Sequence, residues 1–271
     1  MKPTIRDGRQ IAALSVAGSD SGGNAGLQAD VRAFHTFGLH ACTVVAALTA
    51  QNPSGVSAIM PVGADFVAAQ LDAVLGVYDI AAAKTGMLAD PASIETIAAK
   101  LSARPEIAKV VDPVMVATSG SKLVSGDAVA AIKKLLLPMA DVITPNLPEA
   151  EALAGVSGGG RSSDSRSAAE LARRLFELYG AAVVVKGGHG AGAAAVDVLC
   201  DGSGIEEFSL PWIENPVSTH GTGCTFASAL AAELALGRPL SEAVRGAKAH
   251  VHRAIANAYP VGRDCGVLGF A

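Results

Sequence analysis

Short apolar runs of β type alternate with longer amphipathic stretches along this chain, and that alternation limits its fold more than any other feature. Repeated strand–helix units are typical of a mostly parallel sheet whose faces are covered by helices. We therefore predict an α/β fold with a mostly parallel central sheet. The predicted strands are Ile11–Ala17, Cys42–Leu48, Ile80–Lys84, Val110–Asp112, Val142–Thr144 and Val183–Lys186.

The amphipathic stretches between these strands predict eight helices. The segment Gly192–Leu210 indicates two strands joined by a glycine turn, which gives the sheet an antiparallel edge. The Gly- and Ser-rich segment Gly155–Arg166 indicates a surface loop. The predicted helices are Gly26–Phe37, Ala64–Val77, Pro91–Leu101, Asp127–Leu137, Leu147–Ala154, Ser167–Tyr179, Thr222–Leu236 and Leu240–Ala258.

Length and composition exclude several classes of protein. The 271 residues are 50% hydrophobic and 17% charged, which argues against disorder and predicts one domain spanning 1–271. A net charge of −4 argues against a nucleic-acid partner. Because no apolar run approaches ~18 residues, we expect no membrane partner. The four cysteines lack C-x-x-C spacing, which favours a cytoplasmic protein over a disulfide framework or a zinc site.

Polar residues and glycines collect directly after the predicted strands. In open α/β sheets, ligands bind beyond the carboxyl ends of the strands, so these segments should meet at one edge of the sheet. The segments, in chain order, are GSDSGGNAG, TAQN, TGM, PVMVATSG, PNLPE and GGHG.

A Gly-Thr-Gly turn, Gly221-Thr222-Gly223, opens the Ala-rich helix near the carboxyl terminus. Glycines let backbone N–H groups approach a ligand, and a helix N-terminus carries about half a positive charge, so the turn suits a phosphate. The alternative is an ordinary tight turn with Thr222 as the N-cap. Cys224 follows in the first helical turn, where the pKa of a thiol falls below about 8.5, so it is a candidate base. The alternative is a small buried hydrophobic residue.

Two carboxylates at neighbouring strand ends, Asp112 and Glu149, are candidate Mg²⁺ ligands, because Mg²⁺ prefers one or two carboxylates together with water and phosphate. Asn146 and Glu149 also fit a capping box, so a purely structural role stays open. Lys186 is a candidate phosphate cation, or alternatively a lysine at the sheet edge. Gln51 offers a donor and an acceptor to a planar heteroaromatic ring, and Met87 can pack on one.

Seven motifs occur in order across most of residues 11–236: AGSDSGGNAGLQAD, TAQN, KTGML, VVDPVM, TPNLPEAE, VVKGGH and THGTGCT. Together they resemble the hydroxymethylpyrimidine/phosphomethylpyrimidine kinases of thiamine biosynthesis, in the ribokinase-like superfamily. The resemblance implies a three-layer αβα fold, a homodimer and ATP-dependent phosphorylation. The implied substrates are 4-amino-5-hydroxymethyl-2-methylpyrimidine and then its monophosphate.

The resemblance also implies roles for individual residues. Gln51 would bind the pyrimidine, with Gly18, Asp30, Met87 and Val114 beside it. Asp112 and Glu149 would serve Mg²⁺ with ATP as co-substrate. Three residues would reach the ATP phosphates: Asn146, Lys186 and Thr219. The segment Gly221, Thr222, Gly223 and Cys224 would form the catalytic anion hole, with Cys224 where most of the superfamily carries an aspartate base.

The sequence departs from the family pattern in two loops. Asn24 stands where a glycine is usual, and the loop after Met115 has Thr118 where lysine is frequent, with Lys122 displaced. Two other functions stay open. A pyridoxal or pyridoxine kinase would also act on a heteroaromatic CH₂OH group. Aspartate at position 224 would favour that function, whereas this chain has Cys224. A non-catalytic pyrimidine or nucleotide sensor would keep the fold and lose Asp112, Glu149 or the glycine turn, all of which are present.

Overall fold

A computed structural model describes residues 2–115, 123–156, 165–187, 194–263 and 265–270. The loop positions Thr118 and Lys122, most of the predicted loop at 155–166 and the start of the predicted hairpin at 192 lie outside these residues. The described strands are β1 (Ile5–Arg6), β2 (Arg9–Gln10), β3 (Ala12–Asp20), β4 (His40–Asn52), β5 (Gly55–Pro61), β6 (Ile80–Thr85), β7 (Ala108–Val111), β8 (Val142–Ile143), β9 (Ala182–Val185), β10 (Ala194–Asp201), β11 (Gly204–Pro211), β12 (Tyr259–Pro260) and β13 (Gly266–Val267).

The helices alternate with these strands, as the sequence predicts. The start of α3 is set by Asp90, whose side chain accepts a hydrogen bond from the Ser93 amide, with proline at the first helical position. The described helices are α1 (Gly26–Thr36), α2 (Ala64–Leu75), α3 (Pro91–Ser102), α4 (Gly126–Ala131), α5 (Leu147–Ala154), α6 (Ser165–Tyr179), α7 (Thr222–Ala235) and α8 (Leu240–Ala256).

Among the described residues, nine strands form one sheet in the order β11-β10-β9-β8-β7-β6-β3-β4-β5. The six strands from β9 to β4 run parallel, and β10, β11 and β5 pair antiparallel. The predicted antiparallel edge, β10–β11, is therefore confirmed. A parallel run of this kind brings six carboxyl ends to one edge, which is where the polar segments of the sequence meet.

Helices cover both faces of the sheet, which confirms the three-layer arrangement. On one face, Phe226 and Leu230 of α7 pack with Phe34 of α1 and with small strand residues such as Ala82. The other face packs against α2 to α6. Because α7 crosses the middle of the sheet, its first turn lies beside the carboxyl ends of the central strands.

The structure corrects several predicted boundaries. Strand β4 continues to Asn52, so the TAQN segment belongs to the strand, and β5 adds a second antiparallel edge that was not predicted. The helix predicted at Asp127–Leu137 is α4 followed by one π-helical stretch, Ile132–Leu136, and a short 3₁₀ turn. In the part of the chain described, no helix combines the length and apolarity needed to span a bilayer.

Candidate active site

A cavity of about 640 Å³ opens at the carboxyl edge of the parallel strands. It brings together residues from the sheet centre, the loop after β3, α5 and the start of α7. All but one of the predicted site residues line it. Those lining it are Gly18, Gln51, Met87, Asp112, Val114, Asn146, Glu149, Lys186, Thr219, Gly221, Thr222, Gly223 and Cys224.

Asp30 is the exception. Its carboxylate is completely buried and lies outside the cavity lining. Both of its oxygens lie 3.0 Å from Nζ of Lys84, and they also accept hydrogen bonds from Ser15 (2.5 Å) and Ser228 (2.6 Å). The Asp30 carboxylate therefore contacts three side chains within the protein, and its predicted place beside the pyrimidine stays a prediction.

The cavity contains a cluster of one lysine and two carboxylates. Lys186 directly follows β9, and its Nζ donates a 2.8 Å hydrogen bond to Oδ1 of Asp112, which directly follows β7. Oδ1 of Asp112 also accepts from Thr144, at 3.2 Å. Burial would lower the pKa of Lys186, but Asp112 and Glu149 outweigh it and raise that pKa. Lys186 is therefore a permanent cation facing the cavity.

The structure confirms the capping box that the sequence left open for Glu149, and its role as a Mg²⁺ ligand stays a prediction. Its side chain accepts from the Asn146 amide (2.8 Å), and the Asn146 side chain accepts from the Glu149 amide (2.9 Å), which completes a capping box at the start of α5. The same carboxyl group lines the cavity. Burial raises the pKa of Glu149 to about 7; Lys186 opposes this rise and Asp112 reinforces it. The hydrogen bond from the Asn146 amide favours the carboxylate form, so the cap opposes the rise in pKa that burial causes.

The Gly-Thr-Gly turn depends on its first glycine. Gly221 has φ +86°, and a Cβ there would lie 1.9 Å from the backbone oxygen of Asn24. Gly221 is the N-cap of α7, so the predicted N-cap role of Thr222 is wrong; Thr222 is the first helical residue, and its hydroxyl donates to Thr219 O at 3.0 Å. The ammonium of Lys186 lies 3.5 Å from where a Cβ of Gly223 would stand. A lysine and a helix N-terminus therefore converge on one point, as an anion site requires.

The prediction of a lowered thiol pKa at Cys224 is wrong. Burial raises the pKa of Cys224 to about 11; Lys84 opposes this, and the carboxylates of Asp30 and Asp112 add to it. A hydrogen bond from the Gly26 amide also favours the thiolate. The helix N-terminus is too small an influence to offset removal from water.

The loop after β3 is fixed by Asp20, which sequence reasoning did not select. Its carboxylate accepts from the amides of Gly22 (2.8 Å), Asn24 (2.9 Å) and Ala25 (2.8 Å), and Nε2 of His220 lies 3.7 Å away. Burial alone would raise the pKa of Asp20, but His220 and the three amides lower it. Asp20 therefore holds the loop and the glycine turn beside each other.

One end of the cavity is narrow and suits a flat ring. The Gly18 amide donates to Met87 O at 3.1 Å, and a Cβ on Gly18 would lie 2.9 Å from the Met87 sulfur. Oε1 of Gln51 accepts from the Thr49 hydroxyl at 3.2 Å. Val114 lines the same cavity, and its amide bonds to Asp112 O.

A further part of the cavity lining was missed by sequence reasoning. Lys248 on α8 pairs with Asp197 on β10 at 2.9 Å, and Asp197 also accepts from the Gly187 amide. Trp212 and His252 line the wall beside them. Nothing in the sequence near these residues marks them, because α8 and β10 meet only in the folded chain.

Solved structures place this architecture among small-molecule kinases. The pyridoxal kinase of Bacillus subtilis, solved as an ADP complex, matches with a TM-score of 0.86 and 34% identity over 96% of this chain and 97% of that chain. A phosphomethylpyrimidine kinase of Clostridium difficile matches with a TM-score of 0.79 and 34% identity over 91% of this chain and all of that chain. The fold is therefore ribokinase-like.

Sequence comparison identifies the family. The phosphomethylpyrimidine kinase family model matches residues 20–269. A hydroxymethylpyrimidine/phosphomethylpyrimidine kinase of Rhizobium meliloti is 47% identical over 246 residues, which are 91% of each chain. A thiamine biosynthesis bifunctional protein of Geobacter sulfurreducens is 48% identical over 93% of this chain, which spans about half (51%) of that relative. The chain belongs to the phosphomethylpyrimidine kinase family and is a kinase.

Proposed function

We propose that this chain transfers the γ-phosphoryl group of ATP to 4-amino-5-hydroxymethyl-2-methylpyrimidine and then to its monophosphate, in thiamine biosynthesis. The observation that carries the proposal is that one cavity holds Gln51, Cys224 and the Lys186–Asp112–Glu149 cluster. A ring-binding end, a candidate proton acceptor and a phosphate-binding cluster are the parts that such a transfer needs.

The phosphate-binding end provides most of the catalysis. Phosphoryl transfer is largely dissociative, so positioning and charge stabilisation lower its barrier more than covalent chemistry does. Lys186 supplies a fixed cation, and the backbone of Gly221–Gly223 supplies N–H groups at the α7 N-terminus. These groups would bind the transferring phosphoryl oxygens as charge spreads over them.

Asp112 and Glu149 fit a magnesium ion brought by ATP. The observation that supports the fit is the donor set: two buried carboxyl groups lie together in the cavity wall. Mg²⁺ takes one or two carboxylates and completes its shell with water and substrate phosphates. When bound, Mg²⁺ would neutralise phosphate charge, and Glu149 would remain ionised at lower pH than in its absence.

Cys224 would take the proton of the substrate hydroxyl. Because its pKa is about 11 in the free protein, most of the thiol is protonated at neutral pH. We therefore expect kcat to rise with pH above 7 as the thiolate fraction grows. Replacement by alanine should flatten that rise, whereas Cys224→Asp should retain more activity than alanine.

The test is ATP consumption with four alcohols: the pyrimidine, its monophosphate, pyridoxal and pyridoxine. We expect turnover with both pyrimidines, and a loss of about ten- to a hundred-fold in pyrimidine affinity on Gln51→Ala, because a lost buried hydrogen bond costs about 1–3 kcal/mol. ATP affinity, measured by titration calorimetry, should stay the same. Turnover with pyridoxal alone would favour a pyridoxal kinase, the activity named for the Bacillus subtilis structure. ATP consumption with none of the four would overturn the proposal.

We also propose a single domain over 1–271, a cytoplasmic location and a homodimer. The free state of all four cysteines supports a reducing compartment. Leu48, Met60 and Phe66 leave large apolar side chains exposed around the edge strand β5, which supports a subunit contact there. Light scattering after size-exclusion chromatography should give twice the chain mass, and Met60→Glu should lower it.

A further inference from the structure

The sealed ion pair beneath the cavity, Lys84 with Asp30, has no role in the transfer described above. Asp30 is on α1 and Lys84 is on β6, and both side chains are completely buried. Burying two charges is expensive, and a hydrophobic pair of the same volume is often as stable. The position of the pair therefore needs a reason beyond stability.

Two helices bring this pair next to Cys224. Cys224 and Ser228 are four residues apart on α7, so they lie on one helix face, and Gly26 and Asp30 have the same relation on α1. Ser228 donates to Asp30 at 2.6 Å, and the Gly26 amide bonds to Cys224. The two helix faces thus oppose each other directly.

The orientation of the pair follows from its neighbours. Nζ of Lys84 lies 2.8 Å from where a Cβ of Gly86 would stand, directly before the cavity residue Met87. Of the two charges, Lys84 acts on Cys224 more strongly than Asp30 does. The ammonium therefore favours the thiolate more than the carboxylate opposes it. Asp112 and Lys186 are the other charged groups that act on the thiol, from the ends of β7 and β9.

We propose that Lys84 is a positioning residue for Cys224: held by Asp30, its ammonium forms the positive end of a buried dipole aimed at the sulfur, and it stabilises the thiolate form. This inference rests on the proposed function, because it gives the kinase a means of charging a thiol that burial keeps neutral. Asp30 holds the ammonium in place, while Ser15 and Ser228 hold Asp30.

The experiment measures alkylation of Cys224 by iodoacetamide without substrates, in a Cys265→Ser background, by mass spectrometry across pH 7–10. Lys84→Gln keeps a hydrogen-bond donor but removes the charge, so alkylation below the thiol pKa should slow about tenfold for each unit of pKa rise. Asp30→Asn leaves Lys84 buried without its counter-ion, so the lysine gives up its proton and alkylation should slow as well. Ser228→Ala removes a contact and no charge, and should stay within about twofold.

A purely structural role predicts that both charge variants alkylate faster than wild type, as loosened packing exposes the thiol. That result would overturn the proposal, as would a wild-type rate in Lys84→Gln. If either single variant fails to fold, the double variant Lys84→Gln/Asp30→Asn, which buries no charge, should still alkylate more slowly than wild type. A wild-type rate in that protein would also overturn it.

Turnover separates this inference from the proposed function. In a chain that phosphorylates the pyrimidine, Lys84→Gln should lower kcat, leave the KM for ATP unchanged and shift the pH rise of kcat upward. A wild-type chain without pyrimidine kinase activity would contradict the proposed function. The alkylation rates would still show whether Lys84 stabilises the thiolate of Cys224.

Discussion

Two of the lysine–aspartate pairs at the carboxyl edge of the sheet differ in their access to solvent. In the open pair, Lys186–Asp112, the side chains are 14% and 2% exposed, and the lysine faces the cavity. In the sealed pair, Lys84–Asp30, both side chains are 0% exposed. The open pair can exchange its partner for a phosphate, whereas the sealed pair can act only through its field. The two roles that we propose for these pairs therefore differ because of burial and not because of chemistry.

The largest expected effect is on stability at the sealed pair. Lys84→Met leaves Asp30 buried without its counter-ion, which should lower the free energy of unfolding by about 3–5 kcal/mol. Lys186→Met should cost less than this, because Asp112 keeps its hydrogen bond from Thr144 and Glu149 can take up a proton. Urea unfolding of both variants measures the difference. Equal losses would remove the distinction between the pairs.

For catalysis, we expect the larger effect at the open pair. Lys186→Met removes the cation that faces the transferring phosphoryl group, so kcat should fall about 10²- to 10³-fold, or about 2.7–4 kcal/mol in the barrier. Its melting temperature should change little. Lys186→Arg is the matched control, since it keeps the charge and should recover part of the rate. A normal kcat in Lys186→Met would exclude the open pair from transfer.

The pH dependence of stability tests Glu149, which lines the same cavity as the open pair. Its pKa is about 7 in the folded chain against 4.5 ordinarily, so the folded state binds more protons than the unfolded state between these values. Stability should therefore fall as pH rises from about 4.5 to 7, by up to roughly 3 kcal/mol. Glu149→Gln keeps the capping box and should flatten this slope. Unfolding measured at pH 5, 6, 7 and 8 checks it, and an unchanged slope in the variant would assign the titration elsewhere.

The smallest expected effect is the loss of stability when one hydrogen bond to Asp30 of the sealed pair is removed. Ser228→Ala removes one of four contacts to the Asp30 carboxylate and should cost about 1.5 kcal/mol, the lower end for a hydrogen bond to a charged group. The same measurement on Ser15→Ala, which removes the contact from β3, should give a similar loss. A negligible cost in both variants would show that Lys84 alone holds Asp30.

The sequence predicts the parallel sheet well because strand ends carry a local signal, an apolar run followed by glycine and polar residues. This signal also locates Asp112, Asn146 and Lys186, which the structure places around one cavity. Strand β5 escapes prediction because its burial does not alternate along the strand: Ser57 and Ala58 are neighbours and both are exposed. Burial is the property that sequence reasoning misjudges: it raises the pKa of Cys224 instead of lowering it.

Asp30 shows that sequence reasoning also misses contacts between residues that are far apart in the chain. The family resemblance assigns it to the pyrimidine, but its partners Lys84 and Ser228 are 54 and 198 positions away. No local pattern joins such residues, and only the packing of α1 and α7 against the sheet reveals them. The Lys248–Asp197 pair cannot be predicted from the sequence for the same reason.

The late position of α7 has a consequence for how the protein is made. Strands β3, β6 and β7 leave the ribosome long before residues 222–235, yet Phe226 and Leu230 of that helix cover their apolar face. Until then, this face is open to water and to other nascent chains, which is the condition that recruits chaperones. A chain released before Gly221 would leave this apolar face of the sheet exposed, and cellular quality control would recognise the exposed face.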